Sequence, residues 1–151
     1  MEDNNTNIGE EIVTEILDNG LATAEEIEGC SQSEIDHIEQ QCEVLLPEAY
    51  RSYHRHIGKS SGEFLRGYTC HYPRIIQEQA KAERVLQRED TATELDKHKF
   101  VFAGSQGVTF FYFDVREPDP PVYVIAEGHG DPDKVTDSFS EWLFETLARQ
   151  T

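Results

Sequence analysis

Six histidines and three cysteines are the residues of this 151-residue chain best suited to chemistry. Their spacing decides what they can do. Cys42, Cys70-His71 and His54-Arg55-His56 carry the donor atoms of a zinc site. They match no finger or ribbon pattern, and two positions apart on a helix point to different faces, so no metal site is expected. Cys70 and His71 are adjacent in sequence, which rarely gives a nucleophile and its base the geometry they need, and no G-x-S-x-G elbow is present. Gly104-Ser105-Gln106-Gly107 has the glycines of a phosphate loop without the Lys-Ser/Thr that follows one, and it opens no helix; a hairpin turn is expected instead. Gly128-His129-Gly130-Asp131 places a histidine near a carboxylate, which suits a general base, and a polar turn accounts for it as well. Thirty acidic residues leave no pair standing out as acid and base. No catalytic residue and no cofactor is assigned.

The elements that would position these residues are legible from periodicity. Residues 1–7 are polar, and fraying is expected there. Ile8, Ile12, Val13, Ile16 and Leu17 fall at helical spacing, and Asn19-Gly20 supplies a stop. Ala24–Ile27 suggests one helical turn. Ser31-Gln32-Ser33-Glu34 is a capping box, followed by an apolar stripe of Ile35, Ile38, Cys42 and Leu45. Leu46-Pro47 is expected to end that helix, and Pro47 to open the next at its first position, running to Gly58 with Tyr50, Tyr53, His54 or Ile57 inward. Residues 59–72 read as irregular, anchored by Phe64-Leu65. A long helix is expected from Arg74 to about Glu89, then a polar connection to Lys97. The last third is β-branched and aromatic. Phe100–Ala103 and Val108–Phe113 form a hairpin, Val122–Ala126 a third strand, and Val135-Thr136 a brief pairing. Ser138-Phe139-Ser140-Glu141 is a second capping box, opening a closing helix with Phe139, Trp142, Leu143, Phe144 and Leu147 inward. The expected fold is α+β: a single domain with an antiparallel meander packed against N-terminal helices and a closing C-terminal helix.

Charge is the strongest compositional fact. Thirteen basic and thirty acidic residues give a net charge of −17, and residues 1–50 contain no Lys or Arg at all. Such a chain repels phosphate backbones and anionic lipid, so neither nucleic acid nor membrane is expected as a partner, and it attracts basic protein surfaces. Salt adaptation is the alternative cause of the acidity. Arg51, Arg55, Arg74, Lys81, Arg84 and Arg88 are expected to pair internally with the acidic N-terminal third. An odd cysteine count without close spacing suits a reducing compartment. Met1-Glu2-Asp3-Asn4-Asn5 has neither a basic nor an apolar segment, so a cytoplasmic location is expected.

Ser31-x-x-Glu34-Ile35-x-x-Ile38-Glu39, followed by Leu46-Pro47-Glu48-Ala49-Tyr50-Arg51, resembles the opening of the SUKH superfamily, the Smi/Knr-type domain. Later stretches resemble further marks of that family in order: Gly62-Glu63-Phe64-Leu65, Phe100-Val101-Phe102, Gly107-Val108-Thr109-Phe110-Phe111, Pro121-Val122-Tyr123 and Asp137–Leu143. Residues 21–150 are accordingly expected to form the domain, with 1–20 as an acidic N-terminal helix or extension.

The resemblance implies a non-enzymatic binding module, most often an immunity protein that neutralises a cognate toxin, in many cases a nuclease. Its partner would be a basic toxin domain, and the chain itself a monomer or weak dimer. Candidate contacts are Glu63, Tyr68 and Tyr72 from the irregular segment, with Asp114, Glu117, Asp119 and Glu127 at strand ends. A regulatory adaptor for a host protein is the alternative, and a small hydrolase using His129 a distant third.

Overall fold

The computed structural model describes residues 8–89 and 93–151; the expected frayed start, and residues 90–92 of the polar connection, lie outside them. Five helices surround a four-stranded antiparallel sheet: α1 Ile8–Asp18, α2 Gln32–Cys42, α3 Glu48–Ile57, α4 Glu78–Glu89 and α5 Phe139–Gln150. Two-residue strands β1 (Ile27–Glu28) and β2 (Ser60–Ser61) pair with each other, and the main sheet runs β3 (Lys99–Ser105), β4 (Thr109–Asp114), β5 (Val122–Ala126) and β6 (Asp133–Thr136) in chain order. The meander and the closing helix agree with the expected α+β fold.

Helices cover both faces of the sheet, and β4 shows why its sequence is an unbroken apolar run. Phe111 and Phe113 point toward the main core with Tyr50, Phe139 and Trp142. Phe110 and Tyr112 point the other way, onto Ala82, Val85 and Leu86 of α4. A strand buried on both faces has no reason to alternate with polar residues. The cover of this second face is α4.

The exposed side of β3 is protected too. Thr69 and Gly104 exchange backbone hydrogen bonds, and the Val101 amide donates to Gln79 Oε1 at 2.9 Å. These contacts occupy groups an edge strand would otherwise offer to another chain. Between β3 and β4, Gln106 (φ 57°) and Gly107 (φ 74°) make a two-residue turn closed by Val108 N–H on Ser105 C=O. Successive left-handed residues match the sheet's twist, so the glycine there makes a hairpin and no phosphate cradle.

Helix caps hold as expected at α2. Ser31 Oγ accepts from the Glu34 amide, and Glu34 returns to the Ser31 amide. Glu34 also binds Lys59 Nζ at 2.9 Å, and these contacts hold its carboxyl below the usual range. Replacing Ser31 with Ala should lower stability by about 1 kcal/mol, measured by urea denaturation. At α5 only half the box forms: Ser138 Oγ accepts from the Glu141 amide, while Glu141 reaches the Asp137 amide instead.

The expected end of α2 needs correction. The helix stops at Cys42, Glu43 turns left-handed (φ 57°, ψ 46°), and the stripe never reaches Leu45. Leu45 is 73 % exposed. The cause is non-local: Glu39 Oε2 accepts from the Leu46 amide and from Arg51, which draws the chain across to α3 before another turn can form.

Candidate functional site

Buried side chains capable of chemistry include those of His54, Cys70 and Cys30. His54, at the heart of α3, is fully buried. Its ring stands edge-on to Tyr50 at 4.4 Å and Tyr53 at 4.9 Å, and its Nδ1 lies 3.6 Å from Cys30 Sγ. The chain before α2 is pressed against α3 here: Cys30 N–H donates to His54 C=O at 2.7 Å, and any Cβ on Gly29 would collide with the Arg55 carbonyl. Burial pushes His54 down to about 3 and Cys30 and Cys70 up to about 12. The imidazole is therefore neutral and both thiols protonated, the inert state of core cysteines. His56 faces different surroundings, with its Nδ1 donating to Ser52 C=O, as the spacing of two requires.

One serine–histidine pair has catalytic spacing, with Ser61 Oγ and His71 Nε2 2.8 Å apart. Its proton order is wrong for a nucleophile. Ser61 Oγ donates its single proton to the Phe64 carbonyl at 2.7 Å, so it accepts from His71. The pair knits the irregular segment together. His129 is reached by Asp133 at 3.0 Å, not by Asp131; the histidine lies in the turn before β6, Asp133 is the first residue of that strand, and both side chains are more than half exposed. Among the described residues no three His, Cys, Asp or Glu side chains gather in a way that could hold a metal ion. None of their helices is long and apolar enough to cross a membrane.

The sequence-predicted contact residues fall in five places. Glu63 pairs with Arg66 at 2.7 Å beside the end of α5. Tyr68 lies half-buried against Trp142 and Phe111. Tyr72 hydrogen-bonds His37 of α2 at 2.7 Å. Asp114, Glu117 and Asp119 share the β4–β5 end of the sheet; Asp114 binds Arg116 at 2.6 Å, which holds its carboxyl below the usual range, and Asp119 accepts from the Ser140 amide at the start of α5. Glu127 stands at the opposite end, paired with Arg88. Most of the set thus makes contacts within the fold, and the set does not form one surface.

A family model matches residues 29–145, a stretch that runs from the chain just before α2 through α3 and the meander into α5. The chain belongs to the SMI1/KNR4 family (SUKH-1). A search of the curated proteins finds no match.

A surface feature that the sequence reading missed lies at the α2–α3 connection. Asp36, Glu39, Gln40, Glu43, Val44 and Leu45 line a hollow of about 430 Å³. A second, of about 350 Å³, runs from Leu45 to Lys97, His98 and Val115, and a third, of about 330 Å³, runs from Glu43 to Ile76, Gln79 and Glu83. Glu43 borders all three. The only sequence signal was Pro47, which marks a break near this point without saying on which side of Leu45 the helix ends.

The expected internal pairing of the basic residues is mixed. Arg51 binds Glu39 and Glu48 of the acidic N-terminal third, but Lys81 binds Glu78 and Arg88 binds Glu127. Arg55, Arg74 and Arg84 make no ion pair among the described residues.

Proposed function

We propose that this SUKH-1 chain is a non-enzymatic protein-binding module that acts as an immunity protein, covering the basic face of a cognate toxin domain. The observation that carries the reading is the distribution of charge. The first fifty residues contain no Lys or Arg. On α1, Glu10, Glu11, Glu15 and Asp18 are exposed. A field of this sign draws in a cationic protein, and the family supplies the precedent for one of toxin type. The interior supports the same reading, since its thiols are protonated, its buried histidine is neutral, and Ser61 is committed to a carbonyl.

The test is co-expression with basic toxin domains, beginning with any that a neighbouring gene encodes, followed by binding of the two purified proteins. The chain should restore growth. Its association rate should drop about tenfold or more between low salt and about 0.15 M ionic strength. Absence of protection and of binding would end the immunity reading; binding with a flat salt response would remove electrostatics from it.

A further inference from the structure

We propose that the groove around the α2–α3 connection is the seat of the cationic partner protein, with Leu45 as its apolar anchor and Asp36, Glu43 and Glu83 as the carboxylates that meet the partner's lysines and arginines. The assignment rests on the protein-binding reading above and adds the surface that does the binding.

Exposure is the first support. Leu45 is 73 % exposed, whereas the next most exposed large apolar residue described, Val135, reaches 41 %. Covering an isolated leucine releases the water ordered around it, and such residues, ringed by polar groups, mark interaction sites. Leu45 is held out by construction. The left-handed Glu43 and the Glu39 bonds to Leu46 and Arg51 fix the loop from both sides, so the side chain is presented without a loop having to order on binding.

Shape is the second. The hollows on either side of Leu45 give a partner's side chains somewhere to go, and the third continues the depression along α4. Charge names the occupant. Within the lining, Glu39 is answered by Arg51, Asp96 by Lys99, and Arg116 by Asp114. That leaves Asp36, Glu43 and Glu83 without a cation, against Lys97 without an anion, among the described residues. The groove is therefore short of positive charge. A second copy of a chain with net charge −17 does not supply it, and a cationic protein does.

The experiment measures binding of a purified basic toxin domain, one against which this chain protects on co-expression, to four forms: wild type, Leu45→Ala, Asp36→Lys with Glu43→Lys, and Glu11→Lys with Glu15→Lys. The last pair makes the same charge change on α1, away from the groove. All substituted positions are solvent-facing, and circular dichroism confirms that each form is folded. Leu45→Ala should weaken binding about tenfold or more, chiefly through faster dissociation. The groove lysines should weaken it at least as much, chiefly through slower association, and the α1 lysines should leave affinity within about threefold at physiological salt. Wild-type affinity in both groove variants overturns the surface while leaving the protein-binding reading intact. An equal loss from the α1 pair also overturns the surface, because net charge alone would then explain it. Failure of the wild type to bind overturns the binding reading and this surface with it. Self-association of the wild type that Leu45→Ala abolishes would assign the anchor to a second copy and overturn the cationic occupant.

Discussion

Acidification will destabilise this protein well above the pH at which carboxylates titrate, and one residue will account for most of the early loss. His54 takes up a proton near pH 6.5 when the chain is unfolded, but burial holds it neutral down to about 3 in the fold. Between those values the unfolded chain binds a proton that the native chain refuses. Stability therefore rises with pH across that window and is lost as pH falls through it. At about 1.4 kcal/mol per pH unit, the whole window amounts to about 4–5 kcal/mol, a large part of a typical domain's stability. The packing explains the size of the effect. Among the described residues His54 Nε2 is buried without a hydrogen-bond partner, and a charge placed there would have the rings of Tyr50 and Tyr53 for neighbours in place of an acid. His71, also pulled down by burial, adds loss of the same sign. Glu34, Asp114 and Asp137, held below their usual range, add theirs only at lower pH, as each is protonated. Urea titrations at several pH values from 7 to 4.5 separate these contributions, since only the histidines act across most of that range. The His54→Leu variant should show a visibly flatter dependence of stability on pH. Parallel curves for the two proteins would show that His54 is not the sensor.

The same residue shows how far local pattern carried into the fold. The inward face of α3, with Tyr50, Tyr53, His54 and Ile57, follows from spacing alone, and all four are buried. Ser31 and Ser138 mark helix starts because a cap is a short-range bond whose partners lie within three residues. What was not legible depends on residues distant in sequence. Glu39 ends α2 by binding Leu46 and Arg51, so the stripe that includes Leu45 on a helical wheel is cut before it reaches that residue. Asp119 reads as an exposed loop acid, yet it accepts the Ser140 amide twenty-one positions on. The apolar residues of α4 announced a buried face, but nothing local says which side of the sheet receives it. For the binding surface the gap is of another kind. A groove is made of the spaces between elements, and Leu45, Glu43 and Glu83 become neighbours of one depression only after α2, α3 and α4 have taken their places.

Replacing Trp142 with alanine should cost about 3–5 kcal/mol and leave the closing helix poorly seated on the sheet. The chain has a single tryptophan, and α5 delivers it to the centre of the main core with 1 % of its surface exposed. Its ring meets Phe102 edge-on at 4.9 Å, Phe111 at 5.3 Å and Tyr68 at 5.7 Å, and it stacks with Phe139 at 6.4 Å. It therefore joins β3, β4, the irregular segment and α5 at one point, and truncation removes contacts to all of them together. Among the described residues the buried indole Nε1 has no hydrogen-bond partner, so the residue is held there by volume and ring contacts, with nothing gained from its polar atom. Trp142→Phe tests that distinction. It keeps a ring against Phe102 and Phe139 and removes an unsatisfied donor, so its cost should be less than half that of the alanine variant. Far-ultraviolet circular dichroism in urea follows both, because the fluorescent probe is gone in each. If phenylalanine were as damaging as alanine, the unpartnered N–H would have to matter after all, through a partner such as a buried water. If alanine cost less than about 1 kcal/mol, the core would have to close over the space, which close-packed protein interiors rarely do. The expected ordering of wild type, phenylalanine and alanine follows from the geometry of four aromatic neighbours around one side chain.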